Sequence, residues 1–416
     1  MLYIEPINEI AWKDIEKFCQ QRLAEDSYLD YKQDFPKHLE KTISAMANTL
    51  GGIILIGVAE DSENKPKIPI SGIPFKRGLS ERVMNIILSN ISPPVFPEIN
   101  VCRSSDGKKA VILVRVPQSH LTPHAITGNT EVYLRTGNRN KAEVLAKIDQ
   151  IEWLKDRRQK SEQLRENLYD MANERFLTLY EYKFEYSGMT PQKSVTIEKG
   201  WMILSLCPVY PKEMFIEPPE LSRLYNDISS DDYCSKGKFP HVKNIYGKIV
   251  QDGAVYKAYD YPYVFHTQLN AYGLYYYRQS LLRDYGNNAG TSMNTIYSRE
   301  ILCRLEQFLS SGIKYYSVLG FMGPLQFQLI LEGIQGCVLK HLSNDEPFEN
   351  LYTSPDMSIH FSEIILAGSI QTNKLNLIAN ATQRIFWTFG LEVPKIYDFL
   401  KQFYVQYRIQ IGEISS

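Results

Sequence analysis

Two adjacent glycines, Gly51 and Gly52, divide a block with helical periodicity from an unbroken apolar run, IILIGV, at 53–58. Glycine enters the left-handed region without steric cost, so the pair marks a helix end. Upstream, Leu39, Ile43, Met46 and Ala47 recur at spacings of three and four, which predicts a helix over 37–50 with one buried face. Pro36 suits its first turn. Downstream, a run with no polar alternation predicts a strand covered on both faces, at the centre of a sheet.

Charge brackets this unit. Glu25, Asp30 and Lys32 precede it, and Glu60 with Asp61 follows the apolar run. Residues 28–32 alternate, so Asp30 and Lys32 share one strand face with Tyr28, while Leu29 and Tyr31 take the other. If the two strands are neighbours, several carboxylates converge. Oxygen ligands of this kind suit Mg²⁺ or Mn²⁺. A cation so held activates water and offsets charge on a scissile phosphate, and a nearby lysine adds a donor. The D-x-K spacing is only superficially nuclease-like, and it describes a solvated acidic face equally well.

The remainder of the first third reads as α+β. A helix is predicted at 14–24 and another at 80–90. Strands at 98–103 and 110–116 alternate across a Ser-Asp-Gly-Lys turn, a hairpin signal. A short strand is predicted at 132–135. Residues 141–171 are helical in pattern and predict a connector that could serve as a dimer contact. The organisation expected is therefore 1–140, a connector at 141–175, and a mixed α+β domain at 176–416. In that last domain strands are predicted at 177–186 and 201–209, an irregular stretch at 208–232, and a meander at 243–263 turning at Gln251-Asp252-Gly253. Helices are predicted at 375–389 and after Pro394. The short apolar runs at 267–281, 294–309 and 314–331 fit helix or strand.

The joint pattern EDSYLDYK, SAMANTLGG and IILIGVAED, followed by YLRTGN at 133–138, resembles the AlbA-like nucleic-acid-binding domain of the Schlafen family. It covers about residues 10–150. The resemblance implies a metal-dependent endonuclease site acting on transfer or ribosomal RNA, with a role in defence against invading genetic elements. Its first acid falls on Glu25, its second on Asp30, its lysine on Lys32, and its third acid on Glu60, with Asp61 as the alternative. Glu25, Asp30 and Glu60 would then hold Mg²⁺ or Mn²⁺, and Lys32 would support the phosphate. Asp30 stands where the family commonly has Glu and Glu60 where it often has Asp, so each carboxylate is kept with its reach changed by one methylene.

Net charge is -1, so nucleic-acid binding would rest on local cations. Lys37, Lys41, Arg135, Arg139 and Lys141 are the candidates for phosphate contacts. RNA is favoured over DNA as the partner. Two competing readings are a non-catalytic nucleic-acid-binding regulator and a sensor protein whose C-terminal domain carries the function, through a ligand or protein trigger.

Other chemistries lack their motifs. There is no GxxxxGK[ST], since GMTPQKS at 188–194 lacks the second glycine. His120 and His124 are spaced for a metal on a helix but sit among Ser, Thr and Pro, which favours a loop. No GxSxG elbow is present. Six scattered cysteines with no CxxC pair argue against a disulfide framework and for a cytoplasmic location. No apolar run reaches membrane-spanning length, and the N-terminal residues lack a signal-peptide pattern. The tyrosine-rich stretch at 256–277 could stack bases or pack within a sheet, and sheet packing is the expectation.

Overall fold

The computed structural model describes residues 2, 7–136, 143–180, 200–211, 213–231, 238–240, 246–260, 263–281, 295–321, 323–340 and 352–406. The chain is α+β and divides into two compact units, Met1–Gln163 and Leu164–Ser416.

The first unit contains α1 (Trp12–Gln20), β1 (Leu29–Lys32), α2 (Leu39–Asn48), β2 (Gly52–Ile56), β3 (Ile73–Pro74), α3 (Leu79–Asn90), β4 (Ile91–Ser92), β5 (Glu98–Arg103), β6 (Lys109–Val116), β7 (Ala125–Ile126), β8 (Tyr133–Arg135) and β9 (Glu143–Leu145). Helix α4 (Ile148–Tyr180) runs through the boundary. The main sheet has the order β1-β2-β6-β3, with β5 also on β6. β1 runs parallel to β2, and β6 runs antiparallel to it.

The apolar run is central for the reason its composition gives. Ile54 and Ile56 face one side, where α2 and α3 bring Leu39, Ile43, Met46, Val83 and Ile87. Ile53 and Leu55 face the other, against Leu29, Tyr31 and the α1 residues Ile15, Phe18 and Cys19. Burial on both faces leaves no position for a polar side chain.

One expectation changes at the end of this unit. Residues 143–145 pair with β8 as a strand, and the helix begins only at Ile148. Val144 packs with Val132, Leu134 and Leu154, while Ile148 is 77% exposed. Pairing with β8 and the packing of Val144 here outweigh helical periodicity.

The second unit contains β10 (Trp201–Pro208), α5 (Pro218–Ile228), β11 (Ser230–Asp231), β12 (Lys238–Phe239), β13 (Tyr246–Val250), β14 (Gly253–Asp260), β15 (Tyr263–Asn270), β16 (Tyr275–Ser280), β17 (Thr295–Tyr297), α6 (Ser298–Leu319), β18 (Pro324–Glu332), β19 (Val338–Lys340), β20 (Tyr352–Thr353), β21 (Ser358–Leu366), α7 (Ile370–Thr388) and α8 (Ile396–Gln406). Its seven-stranded sheet has the order β13-β14-β15-β16-β10-β18-β21, antiparallel throughout. Helices α5 to α8 pack into its largest core.

Two predictions fail in this unit. Residues 177–180 are helical where a strand was expected, because Leu164, Leu168, Ala172 and Phe176 continue a helical stripe that packs on the sheet. Residues 181–186 lie outside the described residues. The stretch at 208–232, expected to be irregular, contains α5. Pro218 and Pro219 sit in its first turn, where a missing N–H costs nothing, and Leu221, Leu224, Tyr225 and Ile228 form its buried stripe.

The tyrosines behave as sheet residues. Tyr275, Tyr276 and Tyr277 are buried, with Tyr275 stacked on Phe308 at 4.4 Å and its hydroxyl 3.0 Å from Ser311. Cys19, Cys102, Cys207 and Cys337 are free and buried, and Cys303 is disulfide-bonded. Among the described residues no helix is long and apolar enough to cross a membrane.

Candidate nucleic-acid interface and acidic cluster

Parallel pairing is what gathers the acids. Asp30 lies opposite Ile54 and Lys32 opposite Ile56, so β1 and β2 end together. The backbone N–H groups of Gly57 and Val58 both donate to the Lys32 carbonyl, at 2.7 and 3.1 Å. The chain therefore leaves β2 beside Lys32, and Glu60 follows within two residues. The turn beyond is tied back by the Glu25 N–H, which donates to the Asn64 carbonyl at 2.9 Å.

Glu25, Asp30, Lys32 and Glu60 meet at this place. Lys32 Nζ is 2.6 Å from Asp30 Oδ2 and 3.9 Å from Glu25 Oε1. Tyr31 N–H donates to Glu25 Oε1 at 2.5 Å. A hydrogen bond joins the side chains of Glu25 and Glu60. Burial, then repulsion from Asp30, pushes the Glu25 carboxyl up to about 7. Burial also raises Glu60, with Asp30 adding to it while Lys32 opposes it. For Lys32, burial alone would lower the ammonium, but Asp30, Glu25 and Glu60 together hold it above its usual value.

Asp30 is the most enclosed member, with its side chain 2% exposed. Arg135 Nη2 donates to its Oδ1 at 2.7 Å. Lys32 Nζ faces Oδ2 at 2.6 Å, so each oxygen of the Asp30 carboxylate is paired with a cation. Arg135 Nη1 reaches Glu143 Oε1 at 3.0 Å, and Thr42 Oγ1 donates to that same oxygen at 2.9 Å. Four carboxylates, Glu25, Asp30, Glu60 and Glu143, thus surround two cations, Lys32 and Arg135. Among the described residues no group of three or more His, Cys, Asp or Glu side chains stands in ready metal-holding geometry. Lys32 and the Glu25–Glu60 hydrogen bond close the cluster.

Two sequence candidates are placed elsewhere. Asp61 turns into its own loop, where Oδ1 accepts the N–H groups of Glu63 and Lys65 at 2.9 and 3.0 Å and Oδ2 takes Arg22 at 2.5 Å. These contacts, led by the Lys65 N–H, hold its carboxyl below the usual range. Arg135 was expected to face a phosphate. Its side chain is instead 1% exposed and committed to Asp30 and Glu143. Lys37 is exposed. Lys41 Nζ sits 4.6 Å from the Tyr133 ring centroid. Arg139 and Lys141 lie outside the described residues.

Glu143 and Asn48 were not singled out by sequence. Asn48 is buried and bridges α2 to His124, just before β7, and to Tyr133 at the start of β8. Its Nδ2 donates to the carbonyls of His124 and Tyr133, each at 2.9 Å, and its Oδ1 accepts the His124 N–H at 2.8 Å. The SAMAN segment carries this signal, since an Asn on an apolar helix face needs partners. His124 is an internal strut: its Nδ1 donates to the Pro93 carbonyl at 2.6 Å, and burial pushes the imidazole down to about 4.

Residues 25–144 match the family model described as Schlafen, AlbA_2. The N-terminal domain is of the Schlafen AlbA_2 type. The match opens on Glu25 and closes one residue past Glu143, so it spans the whole acidic cluster. This domain type points to interaction with nucleic acid. Among solved structures, the N-terminal domain of a RecG-related protein from Nitrosomonas europaea is similar at 20% identity, over 33% of this chain and 97% of that chain, with a TM-score of 0.25. No curated protein matches the chain.

Proposed function

We propose that the Schlafen AlbA_2-type domain binds RNA and hydrolyses its phosphodiester backbone at the acidic cluster, with Mg²⁺ or Mn²⁺ as cofactor and structured RNA such as transfer RNA as substrate. The observation that carries this reading is the convergence of Glu25, Asp30, Glu60 and Lys32 where β1 and β2 end together. The donors are all oxygen, the type a hard divalent cation takes, and they would reach it only with Lys32 displaced from Asp30. Burial, then repulsion from Asp30, raises the Glu25 carboxyl to about 7. Glu25, Asp30 and Glu60 would hold the ion. When bound, it would supply an acidified water and neutralise charge at the phosphate.

The chain's own groups supply the rest. Lys32 releases Asp30 and donates to a phosphate oxygen, which its three N–H donors allow. Arg135 fixes the Asp30 carboxylate from behind, through Oδ1, leaving Oδ2 toward the cluster. Lys37, on the surface after β1, neutralises backbone phosphate. A defence role would follow from RNA cleavage, with the second unit receiving the trigger.

One observation favours a second reading, a non-catalytic nucleic-acid binder. Both Asp30 oxygens already face cations, and Glu25 is bonded to Glu60. The two readings separate in one experiment. Full-length protein is incubated with transfer RNA and Mn²⁺, with and without chelator, beside a gel-shift at low and high salt. Chelator-sensitive cleavage supports hydrolysis. Salt-sensitive binding with no cleavage supports the binder.

A further inference from the structure

In the first unit, β3 takes up the edge of β6 where β2 leaves it. β2 pairs with residues 112–116 of β6 and β3 with Ala110 and Lys109, while β5 pairs with 110–115 and so takes the opposite edge. The Gly57 N–H donates to the Lys32 carbonyl at 2.7 Å, and the Gly57 carbonyl accepts the Gly72 N–H at 2.8 Å. β3 therefore starts level with the acidic cluster. Phe75, three residues past Gly72, stands about 10 Å further along the strand direction. There its N–H donates to the Lys108 carbonyl at 2.8 Å. Phe35 follows Lys32 by three residues, past the end of β1. Both rings pack on the side of the sheet that holds α2, α3, Ile54 and Ile56. Asp30 and Lys32, opposite Ile54 and Ile56, point to that same side.

Each ring is capped by an arginine. Arg82 Cζ, on α3, lies 3.8 Å from the Phe35 centroid, and Arg103 Cζ, at the end of β5, lies 3.9 Å from the Phe75 centroid. Both arginines are exposed, and neither has an ion pair or a side-chain hydrogen bond among the described residues. Arg22 and Arg115, by contrast, are committed to Asp61 and Glu98. Segments 75–82 and 103–109 carry six exposed cations, Lys76, Arg77, Arg82, Arg103, Lys108 and Lys109, against two carboxylates, Glu81 and Asp106. Both carboxylates are occupied locally. Glu81 accepts the Ser80 hydroxyl at 2.9 Å, and Asp106 accepts the Ser104 hydroxyl at 2.6 Å and the Lys108 N–H at 3.0 Å. Asp34 and Lys37, either side of Phe35, offset each other.

We infer that Arg82 and Arg103, with Lys76, Arg77 and Lys108, form a strip that holds an unpaired stretch of RNA leading to the acidic cluster. The inference rests on the RNA-binding reading of this unit, and not on hydrolysis. Excess positive charge beside the cluster matches a phosphate backbone. A guanidinium held on a ring has already given up much of its freedom, so binding costs less ordering. It presents donors for phosphate and a flat cation for a base face. A duplex hides its base faces, whereas an unpaired strand offers both faces and phosphates. An acidic peptide would match the charge but has no bases to stack.

The test is fluorescence anisotropy of the full chain with labelled single-stranded RNA and a blunt RNA duplex of equal length, in chelator so that hydrolysis plays no part. The single strand should bind more tightly, and polyglutamate should compete poorly. Arg82→Gln/Arg103→Gln should weaken single-strand binding by about 10-fold or more. Lys76→Gln/Arg77→Gln touches neither ring and should weaken it in the same direction, so the result does not depend on the packing of Phe35 and Phe75. Lys13→Gln/Lys17→Gln removes equal charge from α1, on the other side of the sheet, and should bind as the parent does. Circular dichroism checks that each variant is folded. No RNA binding by the parent overturns both the strip and the RNA reading. Parent-like binding by the two strip variants, or an equal loss in Lys13→Gln/Lys17→Gln, overturns the strip alone. Equal affinity for the duplex, or equal competition by polyglutamate, overturns the assignment to unpaired RNA.

Discussion

Arg135 and Asp30, separated by 105 residues in sequence, form a buried ion pair at 2.7 Å with their side chains 1% and 2% exposed. The pair joins β8 to β1, and Arg135 also reaches Glu143 on β9. Replacing both partners of such a pair by apolar residues is often tolerated, but removing one leaves an uncompensated buried charge. Arg135→Met should therefore cost about 3–5 kcal/mol in chemical denaturation. A loss below about 1 kcal/mol would show the pair to be solvated in solution.

Asn48 makes one prediction about how the domain is held together. Its side chain makes three hydrogen bonds to the backbone of His124 and Tyr133, and Tyr133 begins the strand that carries Arg135. Asn48→Ala should cost about 2–4 kcal/mol, because buried backbone groups are left unmatched. The loss should appear in denaturant midpoint with no change in slope.

The Glu25 carboxyl gives a pH dependence with a definite sign. Its value rises from 4.5 to about 7 on folding, so the folded state prefers the protonated form. The associated stability is fully present below 4.5 and is lost as pH rises through 7. In chelator, the parent protein should lose stability relative to Glu25→Gln between these values, and the gap should level off above pH 7. Thermal melts of the two proteins from pH 4.5 to 8 check this. A gap that does not change with pH would mean that Glu25 titrates as an exposed carboxylate.

Gly52 is irreplaceable for a local reason. At φ +155°, an added Cβ would stand 2.5 Å from the Tyr28 carbonyl oxygen, the acceptor for the Ile53 N–H at 2.6 Å. Gly52→Ala should lower stability by at least about 2 kcal/mol, and it should disturb the β1–β2 register that gathers the acids. Circular dichroism and a melt measure the first effect. Loss of divalent-cation stabilisation in the same variant would report the second.

The first unit was legible where the pattern is local. The Gly51-Gly52 step, the two-sided burial of 53–56 and the hairpin at 98–116 follow from composition and period. So does the side of β1 taken by Asp30 and Lys32. The Arg135–Asp30 pair was not legible, because nothing local distinguishes an arginine on a short strand that turns inward from one that faces solvent. Asp61 was drawn into the cluster by adjacency to Glu60, but the backbone turn at 61–65 claims its carboxylate. In the second unit, Pro218 and Pro219 read as loop residues although they open a helix. The buried pair His266 and Gln268 sits in an alternating strand that looks half-polar and solvated. Only the packing of α4 over it reveals the burial.

The most direct test of the acidic cluster is cleavage of transfer RNA by full-length protein in Mn²⁺, measured for the parent chain, Glu25→Gln and Glu60→Gln, with folding checked by circular dichroism. Gln keeps the size of each side chain and removes its charge. The proposed hydrolysis predicts chelator-sensitive cleavage by the parent and a loss of at least about 100-fold in each variant. Parent-like cleavage in folded Glu25→Gln and Glu60→Gln, or no cleavage by the parent while RNA binding persists, would contradict it.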